Sequence, residues 1–241
     1  MSWVPNTAMV FAAGMGKRMR PLTSSVPKPL VRLAERPLID HVLDRLSKAG
    51  VARAVVNVHY LADKLEAHLA QRAHPEIIIS DERDQLLETG GGLIKALALL
   101  GEEAIVIHNS DSVWIDGASN DLTRLFQAWD PERMDTLMLL APTNACLGYD
   151  GAGDFDLSAK GNISRRAPST KSPYVFAGVS IAHPRLFKHA PEGAFSLNTL
   201  WDRAIAEKRA YGVCMDGHWM HVGTPEALAE AENLLAKRSA Q

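Results

Sequence analysis

The feature that most constrains the fold of this 241-residue chain is the alternation of short apolar runs with segments of helical hydrophobic spacing. The apolar runs predict buried strands, and the spaced segments predict amphipathic helices. The predicted strands are 7–12, 54–58, 77–79, 104–107, 136–141 and 174–181, and the predicted helices are 38–46, 61–69, 92–100, 122–129, 197–206 and 225–235. This order predicts a Rossmann-like three-layer α/β/α fold with a mainly parallel central sheet.

One region departs from this alternation. Residues 148–173 are rich in Gly, Ser, Asp and Arg, and they predict hairpins and loops rather than helices. The chain has no internal repeat and no linker long enough to separate two independent domains. A single domain is therefore expected.

Composition and charge restrict the partners. Hydrophobic residues make up 46% of the chain, charged residues 22%, and the net charge is −2. These values are ordinary for a globular protein and give no broad attraction to nucleic acid or to an anionic membrane, so we expect neither as a partner. A bound polyanion must instead be held by a local cluster of positive charge.

The N-terminal residues and the cysteines bear on location. Residues 1–6 lack the basic stretch and apolar run of a signal peptide, and no apolar segment reaches membrane-spanning length. Cys146 and Cys214 lack the spacing of a metal site or a redox pair. These features favour a cytoplasmic protein with reduced thiols, and they leave the oligomeric state open.

A loop of glycine and basic residues follows the first predicted strand. Residues 12–23 read Ala-Ala-Gly-Met-Gly-Lys-Arg-Met-Arg-Pro-Leu-Thr, and Pro-Lys-Pro-Leu follows at 27–30. Glycines let the backbone approach phosphate oxygens, and the three basic residues concentrate positive charge. The loop is not a dinucleotide fingerprint, because Met19 replaces the third glycine, and it is not a Walker loop. A charge run alone is typical of a solvated basic loop.

The complete string Gly-x-Gly-x-Arg-Met-x-Pro-Leu-Thr, followed by Pro-Lys-Pro-Leu, resembles the signature of the sugar-phosphate nucleotidyltransferase family. In that family the loop wraps a nucleoside triphosphate, the arginine helps pyrophosphate to leave, and the lysine contacts phosphate. The resemblance therefore implies that Arg18 and Lys28 are catalytic. It implies nucleotide binding by Ala12, Ala13, Gly14, Gly16, Lys17, Arg18 and Lys28.

A second glycine-rich segment, Leu-Glu-Thr-Gly-Gly-Gly at 87–92, precedes a predicted helix. One interpretation is structural, with Thr89 as the helix cap and the glycines as a loop. The resemblance implies that the segment also holds the nucleobase, so Glu88, Thr89 and Gly90 are candidate nucleotide-binding residues. Its form is most similar to that of uridylyltransferases that act on N-acetylmuramate 1-phosphate.

Asp111 follows another predicted strand, within Asn-Ser-Asp-Ser at 109–112. A lone aspartate in this position is more often a turn residue. The matching aspartate of the family binds Mg²⁺, which neutralises charge on the leaving pyrophosphate. The resemblance thus implies catalytic, sugar-binding and metal-binding roles for Asp111. Because ligands of such sheets bind at the carboxyl ends of strands, Gly14, Glu88 and Asp111 can converge.

The sugar-binding candidates lie later in the chain. Residues 151–155, Gly-Ala-Gly-Asp-Phe, resemble a sugar-binding segment of the uridylyltransferases, although alone they indicate a hairpin turn. Residues 176–180 resemble a strand of the sugar pocket in which Gly178 leaves room for the ring. Arg165 and Tyr174 are candidates to contact a lactyl carboxylate. The implied sugar-binding residues are Asp111, Gly153, Asp154 and Gly178.

The segment Trp-Met-His-Val-Gly-Thr at 219–224 departs from the family pattern Trp-x-Asp-x-Gly-Thr, whose aspartate is the second metal ligand. His221 takes that position, so the candidate metal residues are Asp111 and His221. Imidazole suits Mn²⁺, Zn²⁺ or Ni²⁺ better than Mg²⁺. Three hypotheses follow: His221 binds a softer metal, it contacts phosphate while Asp111 and the nucleotide hold Mg²⁺, or the site is impaired. We favour the second, with Mn²⁺ as the alternative cofactor, because phosphate oxygens and water can complete a Mg²⁺ shell.

The resemblance spans residues 7 to about 235. It implies one nucleotidyltransferase domain, 1–241, with a nucleotide-binding part at 7–145, a sugar-binding part with a small β-hairpin region at 146–224, and a C-terminal helix at 225–241. The expected partners are an NTP and a sugar 1-phosphate.

Three functions are compatible with the sequence. The first is transfer of a nucleoside monophosphate from UTP to N-acetylmuramate 1-phosphate in peptidoglycan recycling, with release of pyrophosphate. The second is the same chemistry with another pair, such as GTP and mannose 1-phosphate. The third is a nucleotide-sugar-sensing subunit that has lost turnover, an option that the replacement at His221 keeps open.

Overall fold

The computed structural model describes residues 3–239, so residues 1, 2, 240 and 241 of the predicted domain lie outside the described residues. The strands are β1 Thr7–Phe11, β2 Arg32–Leu33, β3 Arg36–Pro37, β4 Arg53–Val58, β5 Glu76–Asp81, β6 Ile105–Asn109, β7 Ser112–Ile115, β8 Thr136–Pro142, β9 Phe155–Leu157, β10 Ile163–Arg165, β11 Tyr174–Ala182, β12 Ala210–Cys214 and β13 His218–His221. The helices are α1 Leu38–Lys48, α2 Ala62–Leu69, α3 Glu88–Leu100, α4 Asp121–Gln127, α5 Asn198–Ala206 and α6 Pro225–Ser239.

Within residues 3–239, a nine-stranded mixed sheet forms the centre of the fold. Its parallel strands run in the order β6-β1-β4-β5, and β11 pairs antiparallel with β6. Beyond β11 the sheet divides, because β11 also pairs with β8 and β9. β12 pairs with β8, and the β9-β10 hairpin is the predicted hairpin region. The predicted α/β fold with a parallel central sheet is therefore confirmed.

Helices cover both faces of the sheet, as the apolar pattern of its strands requires. Ala8 and Val10 of β1 point into one cluster of buried residues, and Met9 between them points into another. The first cluster contains the apolar sides of α1, α2 and α4, and the second contains those of α3 and α5. Both faces of β1 are therefore withdrawn from water, which is why its sequence is apolar without alternation.

Helix α3 begins four residues earlier than the sequence predicts. Its first turn contains the glycine run at 90–92, and a side chain on any of these glycines would overlap a neighbouring atom: Phe195 at Gly90, the Gly193 carbonyl at Gly91, and Glu82 at Gly92. The interpretation of Thr89 as the helix cap is wrong. Thr89 lies inside the helix, and its hydroxyl accepts a hydrogen bond from the Leu197 N–H at 2.9 Å.

A small two-stranded sheet, which the sequence analysis does not predict, lies beside the end of β6. β7 pairs antiparallel with β13, and this register places His221 opposite Ser112. Met220 and Val222 pack with Met19 and with α6 in a third apolar cluster. The strands are only four residues long, and their apolar patterns are too short to be recognised alone.

The strands that form the main sheet come from both sides of residue 145. β8 precedes this position, and its partners β11 and β12 follow it. The division of the domain at 145 and 146 stays a prediction. Within residues 3–239, no helix has the length and apolar character needed to cross a lipid bilayer.

His108 on β6 is a buried titratable group. Its side chain is fully buried, stacks on Trp114 with ring centroids 5.6 Å apart, and approaches the Asn109 carbonyl with Nδ1 at 2.8 Å. Burial lowers the pKa of His108 to about 4 from its ordinary value of 6.5. The unfolded chain therefore binds this proton at pH values where the folded chain does not, and the folded state loses stability as the pH falls through that window.

We expect the free energy of unfolding to fall by about 2 kcal/mol from this residue alone between pH 7 and pH 5. Urea unfolding of the wild type and of His108→Phe at both pH values measures the effect, because the variant lacks the titrating group. The pH-dependent loss of stability should be smaller in the variant by that amount. Equal losses in the two proteins would contradict the assignment.

Candidate active site

The site lies where β1 and β6, neighbours in the sheet, end side by side. The Ser110 N–H donates to the Phe11 carbonyl at 3.1 Å, which joins the two strand ends. A cleft of about 460 Å³ opens there. The residues that line it are Phe11, Ala12, Ala13, Gly14, Lys28, Pro29, Asn57, Leu86, Glu88, Thr89, Asn109, Ser110, Asp111 and Ser196. The expected convergence of Gly14, Glu88 and Asp111 is thus present in the structure.

The glycine-rich loop is held in place by buried contacts at its far end. Gly16 has a φ of 60°, in the left-handed region, and its carbonyl accepts hydrogen bonds from the Thr23 hydroxyl at 2.8 Å and the Met19 N–H at 2.9 Å. The side chains of Thr23 and Met19 are fully buried. A Cβ at Gly16 would lie 3.0 Å from the Lys28 Cβ, so this glycine also allows the lysine segment to pack closely against the loop.

The three loop cations differ from Lys28 in their surroundings. Lys17, Arg18 and Arg20 are exposed and do not line the cleft. Arg18 is close enough for its charge to lower the pKa of His221. The structure therefore places Arg18 on the His221 side of the site.

Lys28 and Asp111 form an ion pair inside the cleft, with side chains that are 13% and 29% exposed. Burial alone would raise the pKa of Asp111, but the charge and hydrogen bond of Lys28 outweigh burial and hold the pKa below its ordinary value. Asp111 is therefore an anion at neutral pH. The amine of Lys28 can donate to a phosphate oxygen, and the carboxylate of Asp111 can bind a cation.

His221 is close to this pair because β13 lies against β7. The ring of His221 packs beside Trp219 with centroids 5.3 Å apart. The backbone N–H of His221 donates to the Leu147 carbonyl at 2.9 Å. Burial lowers the pKa of His221, the charges of Lys28 and Arg18 lower it further, and Asp111 opposes them. The net shift is downward, so the imidazole is mainly neutral at pH 7 and has a lone pair available for a proton or a metal.

The donor set fits Mg²⁺ only if substrate or water supplies further ligands. Asp111 contributes hard carboxylate oxygen, which Mg²⁺ prefers, and His221 contributes nitrogen, which it does not. Across residues 3–239, no group of three or more His, Cys, Asp or Glu side chains is arranged to hold a metal ion. A triphosphate bound in the cleft would provide the missing oxygen ligands.

Two residues that the sequence analysis does not identify support the floor of the cleft. The Asn57 side chain accepts a hydrogen bond from the Ala12 N–H at 2.7 Å and donates to Glu82 at 2.7 Å. Asn57 is 3% exposed and Glu82 is fully buried. The Ala12 N–H is thus used internally, and the pair fixes the start of the phosphate loop. In the sequence, the only indication of the role of Asn57 is that a polar residue stands in an otherwise apolar strand.

The predicted nucleobase segment enters the cleft through Glu88 and Thr89. Glu88 has a φ of 57°, and both residues are exposed. Gly90 is buried, and its N–H donates to the Phe195 carbonyl at 2.8 Å. Binding of the base by Glu88 and Thr89 stays a prediction, whereas the Gly90 N–H already has an internal partner.

The predicted sugar-binding residues have contacts of their own. The Gly153 N–H donates to the Tyr149 hydroxyl at 3.0 Å, and Asp154 accepts from the Phe176 N–H at 3.0 Å. Neither residue is among the described residues that line the cleft. Gly178 lies at a bulge in β11 with a φ of 81°, and the space beside its Cα holds the Ser112 side chain rather than an open pocket.

The two candidates for a lactyl carboxylate lie outside the cleft. Arg165 forms an ion pair with Asp202 at 2.7 Å and donates a hydrogen bond to the Asn198 side chain at 2.7 Å. Its guanidinium is therefore already engaged by these two residues. Tyr174 is half-buried on β11 and pairs with Phe155. The structure does not bring either residue to the cleft wall.

Asn109 and Ser196 line the cleft and are assigned no role from the sequence. Asn109 ends β6, two residues before Asp111, and its side chain makes no hydrogen bond among the described residues. Asn109 is the first residue of the segment Asn-Ser-Asp-Ser at 109–112, and this position beside Asp111 is the sequence feature that points to it. Ser196 lies in the loop before α5, more than 80 residues after Asn109 in the sequence. Only the fold brings it to the site.

Comparison with known proteins agrees with this geometry. The nucleotidyl transferase family matches residues 7–149. The N-acetylmuramate alpha-1-phosphate uridylyltransferase of Caulobacter vibrioides (strain ATCC 19089 / CIP 103742 / CB 15) is 50% identical, covering 98% of this chain and 100% of its own length. The enzyme of the same name from Neisseria meningitidis serogroup B (strain ATCC BAA-335 / MC58) is 33% identical, covering 94% of this chain and 97% of its own.

A solved structure shares the fold at low sequence identity. A putative glucose-1-phosphate thymidylyltransferase from Bacillus anthracis, in complex with a sucrose, superposes with a TM-score of 0.80 at 17% identity, covering 95% of this chain and 94% of its own. The family expectation from the loop motif is confirmed. The chain belongs to the nucleotidyl transferase family.

Proposed function

We propose that this chain transfers UMP from UTP to N-acetylmuramate 1-phosphate and releases pyrophosphate. The observation that carries the proposal is the shared cleft in which the loop at 12–14, Lys28 and Asp111 meet. Two relatives that match nearly the whole chain bear the name of this activity. The proposal includes a place in peptidoglycan recycling and a cytoplasmic location. The guanylyltransferase and sensing-subunit alternatives are not favoured, because the two relatives that are 50% and 33% identical over nearly the whole chain are named as uridylyltransferases.

The reaction is an in-line displacement. A phosphate oxygen of the sugar 1-phosphate forms a bond to the α-phosphorus of UTP, and the bond from that phosphorus to the bridging oxygen breaks as pyrophosphate leaves. The attacking oxygen already carries negative charge, so no general base is required. The protein contributes positioning and charge neutralisation, which are the main sources of catalysis in such reactions.

The residues of the cleft divide these tasks. The backbone at 12–14 follows the triphosphate, and Lys28 donates to a phosphate oxygen. Arg18, which is exposed beside the cleft, neutralises charge on the leaving pyrophosphate. Asp111 holds Mg²⁺, which when bound supplies charge neutralisation at the phosphate oxygens. His221, mainly neutral and beside Asp111, contacts phosphate through its ring nitrogen.

A panel of nucleotides against sugar phosphates tests the proposal directly. We expect pyrophosphate release to be fastest with UTP and N-acetylmuramate 1-phosphate, and much slower when GTP replaces UTP or mannose 1-phosphate replaces the acceptor. Production of UDP-sugar is followed in parallel by chromatography. Preference for GTP with mannose 1-phosphate would establish the second hypothesis instead, and binding of product without turnover would establish the third.

Arg18→Ala should lower kcat by about 10²–10³-fold, because one preorganised cation that stabilises the leaving group is lost. Arg20→Ala is the matched control: it removes an equally exposed arginine two residues away in the same loop, outside the fixed positions of the motif. The control should change kcat by less than about threefold. Similar losses in both variants would mean that the loop acts through general charge, and near-normal turnover of Arg18→Ala would remove its catalytic role.

His221→Asp should retain or increase turnover with Mg²⁺, because a second carboxylate suits this cation better than imidazole. Turnover of the wild type and the variant is measured across titrations of Mg²⁺ and Mn²⁺. The ratio of Mg²⁺-supported to Mn²⁺-supported kcat should rise in the variant. Complete loss of activity with both metals would show that the histidine has a different role.

A further inference from the structure

Asn109, the last residue of β6, has a side-chain amide that the fold leaves unused. The amide makes no hydrogen bond among the described residues, and neither of its polar atoms is enclosed. By contrast, the side chains of Asn57 and Asn162 both have internal hydrogen-bond partners. Because an amide offers a donor and an acceptor, the side chain of Asn109 is available to a bound molecule.

The alternation of side chains along β6 shows which way Asn109 points. Asn109 projects from the same face of the sheet as Ile107, which belongs to the apolar cluster under α3 and α5. His108 between them points to the opposite face, where it stacks on Trp114. Phe11, the partner of Asn109 on β1, packs against the same cluster as Ile107. The amide of Asn109 therefore lies on the face of the sheet that α3 and α5 cover.

Two spaces meet at Asn109. One is the cleft, and the other is an adjoining cavity of about 250 Å³ that extends towards Phe176 on β11 and Trp201 on α5. A Cβ on Gly178 would lie 3.3 Å from the Asn109 Nδ2, which places the amide beside β11. The adjoining cavity has no lysine, arginine, aspartate or glutamate among its described lining residues. Such a lining suits an uncharged group and disfavours a carboxylate.

The order of the strands separates Asn109 from the nucleotide side of the cleft. Strands β11, β6, β1 and β4 lie side by side in that order. The loop at 12–14 follows β1, and α3, which carries Glu88 and Thr89, packs over β1 and β4. A nucleotide held by these segments lies over β1 and β4. The space over β6 and β11, where Asn109 lies, is then left for the acceptor.

We propose that Asn109 is a specificity-determining residue for the acceptor. Its amide forms a hydrogen bond with an uncharged substituent of the sugar ring, either a hydroxyl or the acetamido group. The inference rests on the proposed function, which supplies a sugar 1-phosphate as the acceptor. Asp111 lies two residues further along the chain and lines the same cleft. One short segment therefore fixes the sugar ring relative to the cation that Asp111 holds.

Two substitutions test the role of the amide. Asn109→Ala removes it, and Asn109→Leu removes it while keeping most of the side-chain volume. We expect both variants to raise the KM for N-acetylmuramate 1-phosphate by about threefold to tenfold, because one hydrogen bond to the sugar is lost. The KM for UTP should change by less than about twofold, because the nucleotide lies over other strands.

Asn162→Ala is the matched control. Asn162 is also half-buried, and its amide donates to the Lys208 carbonyl at 3.1 Å, but it lines neither the cleft nor the adjoining cavity. The control therefore loses an amide hydrogen bond of the fold and should keep both KM values of the wild type. Thermal melting of the three variants and calorimetric titration with UTP show whether the fold and the nucleotide site are retained.

Acceptor analogues identify the group that the amide contacts. The ring hydroxyls and the acetamido group of N-acetylmuramate 1-phosphate are replaced by hydrogen, one at a time. When the contacted group is missing, the wild type and Asn109→Ala should have equal kcat/KM, because the interaction is already lost. With every other analogue the wild type should keep its advantage. An advantage of the wild type that persists with all the analogues would overturn direct contact.

The remaining outcomes separate this inference from the proposed function. If the wild type turns over only another sugar 1-phosphate, the substrate assignment fails, and the same variants test Asn109 with that acceptor. If the wild type uses N-acetylmuramate 1-phosphate and neither substitution changes its KM, only the role of Asn109 fails. That role also fails if the KM for UTP rises as much as the KM for the acceptor, or if Asn109→Leu restores the acceptor KM, since the side chain would then only support the shape of the site.

Discussion

The parallel pairing of β1 with β6 is the constraint on which the site depends. The two strands are in register along their length, and the hydrogen bond from Ser110 to Phe11 extends the pairing beyond their ends. The phosphate loop leaves one strand where the segment of Asp111 leaves the other. The small sheet then adds His221 from the far end of the chain, opposite Ser112. Two segments that are distant in the sequence therefore meet because one pair of buried strands ends at the same level, and the third joins them through the small sheet.

Charge in the site is arranged according to burial. Lys28 is 13% exposed and has Asp111 as a partner, whereas the loop cations are exposed and avoid most of the cost of desolvation. A chain with a net charge of −2 can therefore present positive charge to a triphosphate at one place. Because Lys28 holds Asp111 in its charged form, the cleft contains an anion for a cation, beside the amine that can donate to phosphate, before any substrate enters.

The sequence predicts the parts of this structure that have long or specific patterns. The central strands and most helices follow from apolar periodicity, and the loop motif leads to the family. The sequence does not predict the start of α3, because the glycine run at 90–92 looks like a loop until its packing against Phe195 and Glu82 is visible. It also does not predict the role of Ser196 or the position of Gly178 against Ser112, since both depend on contacts between distant segments.

The buried polar groups show which polar contacts stabilise the fold and which groups are available to a substrate. Asn57 and Glu82 satisfy each other and the start of the loop, so they are explained by the fold alone. His108 Nε2 and the Ser180 hydroxyl have no partner, but neither residue lines the cleft or the adjoining cavity in the described part of the chain. A neutral imidazole can leave that nitrogen as an acceptor, and a hydroxyl can rotate. The indole Nε1–H of Trp201 is fixed in its ring, and although this residue lines the cavity beside the cleft, the nitrogen itself is enclosed. All of these atoms are out of reach of a bound molecule, whereas Lys28 and Asp111 are partly exposed and face the cleft, so binding of a substrate depends on the charged pair and not on the buried polar atoms.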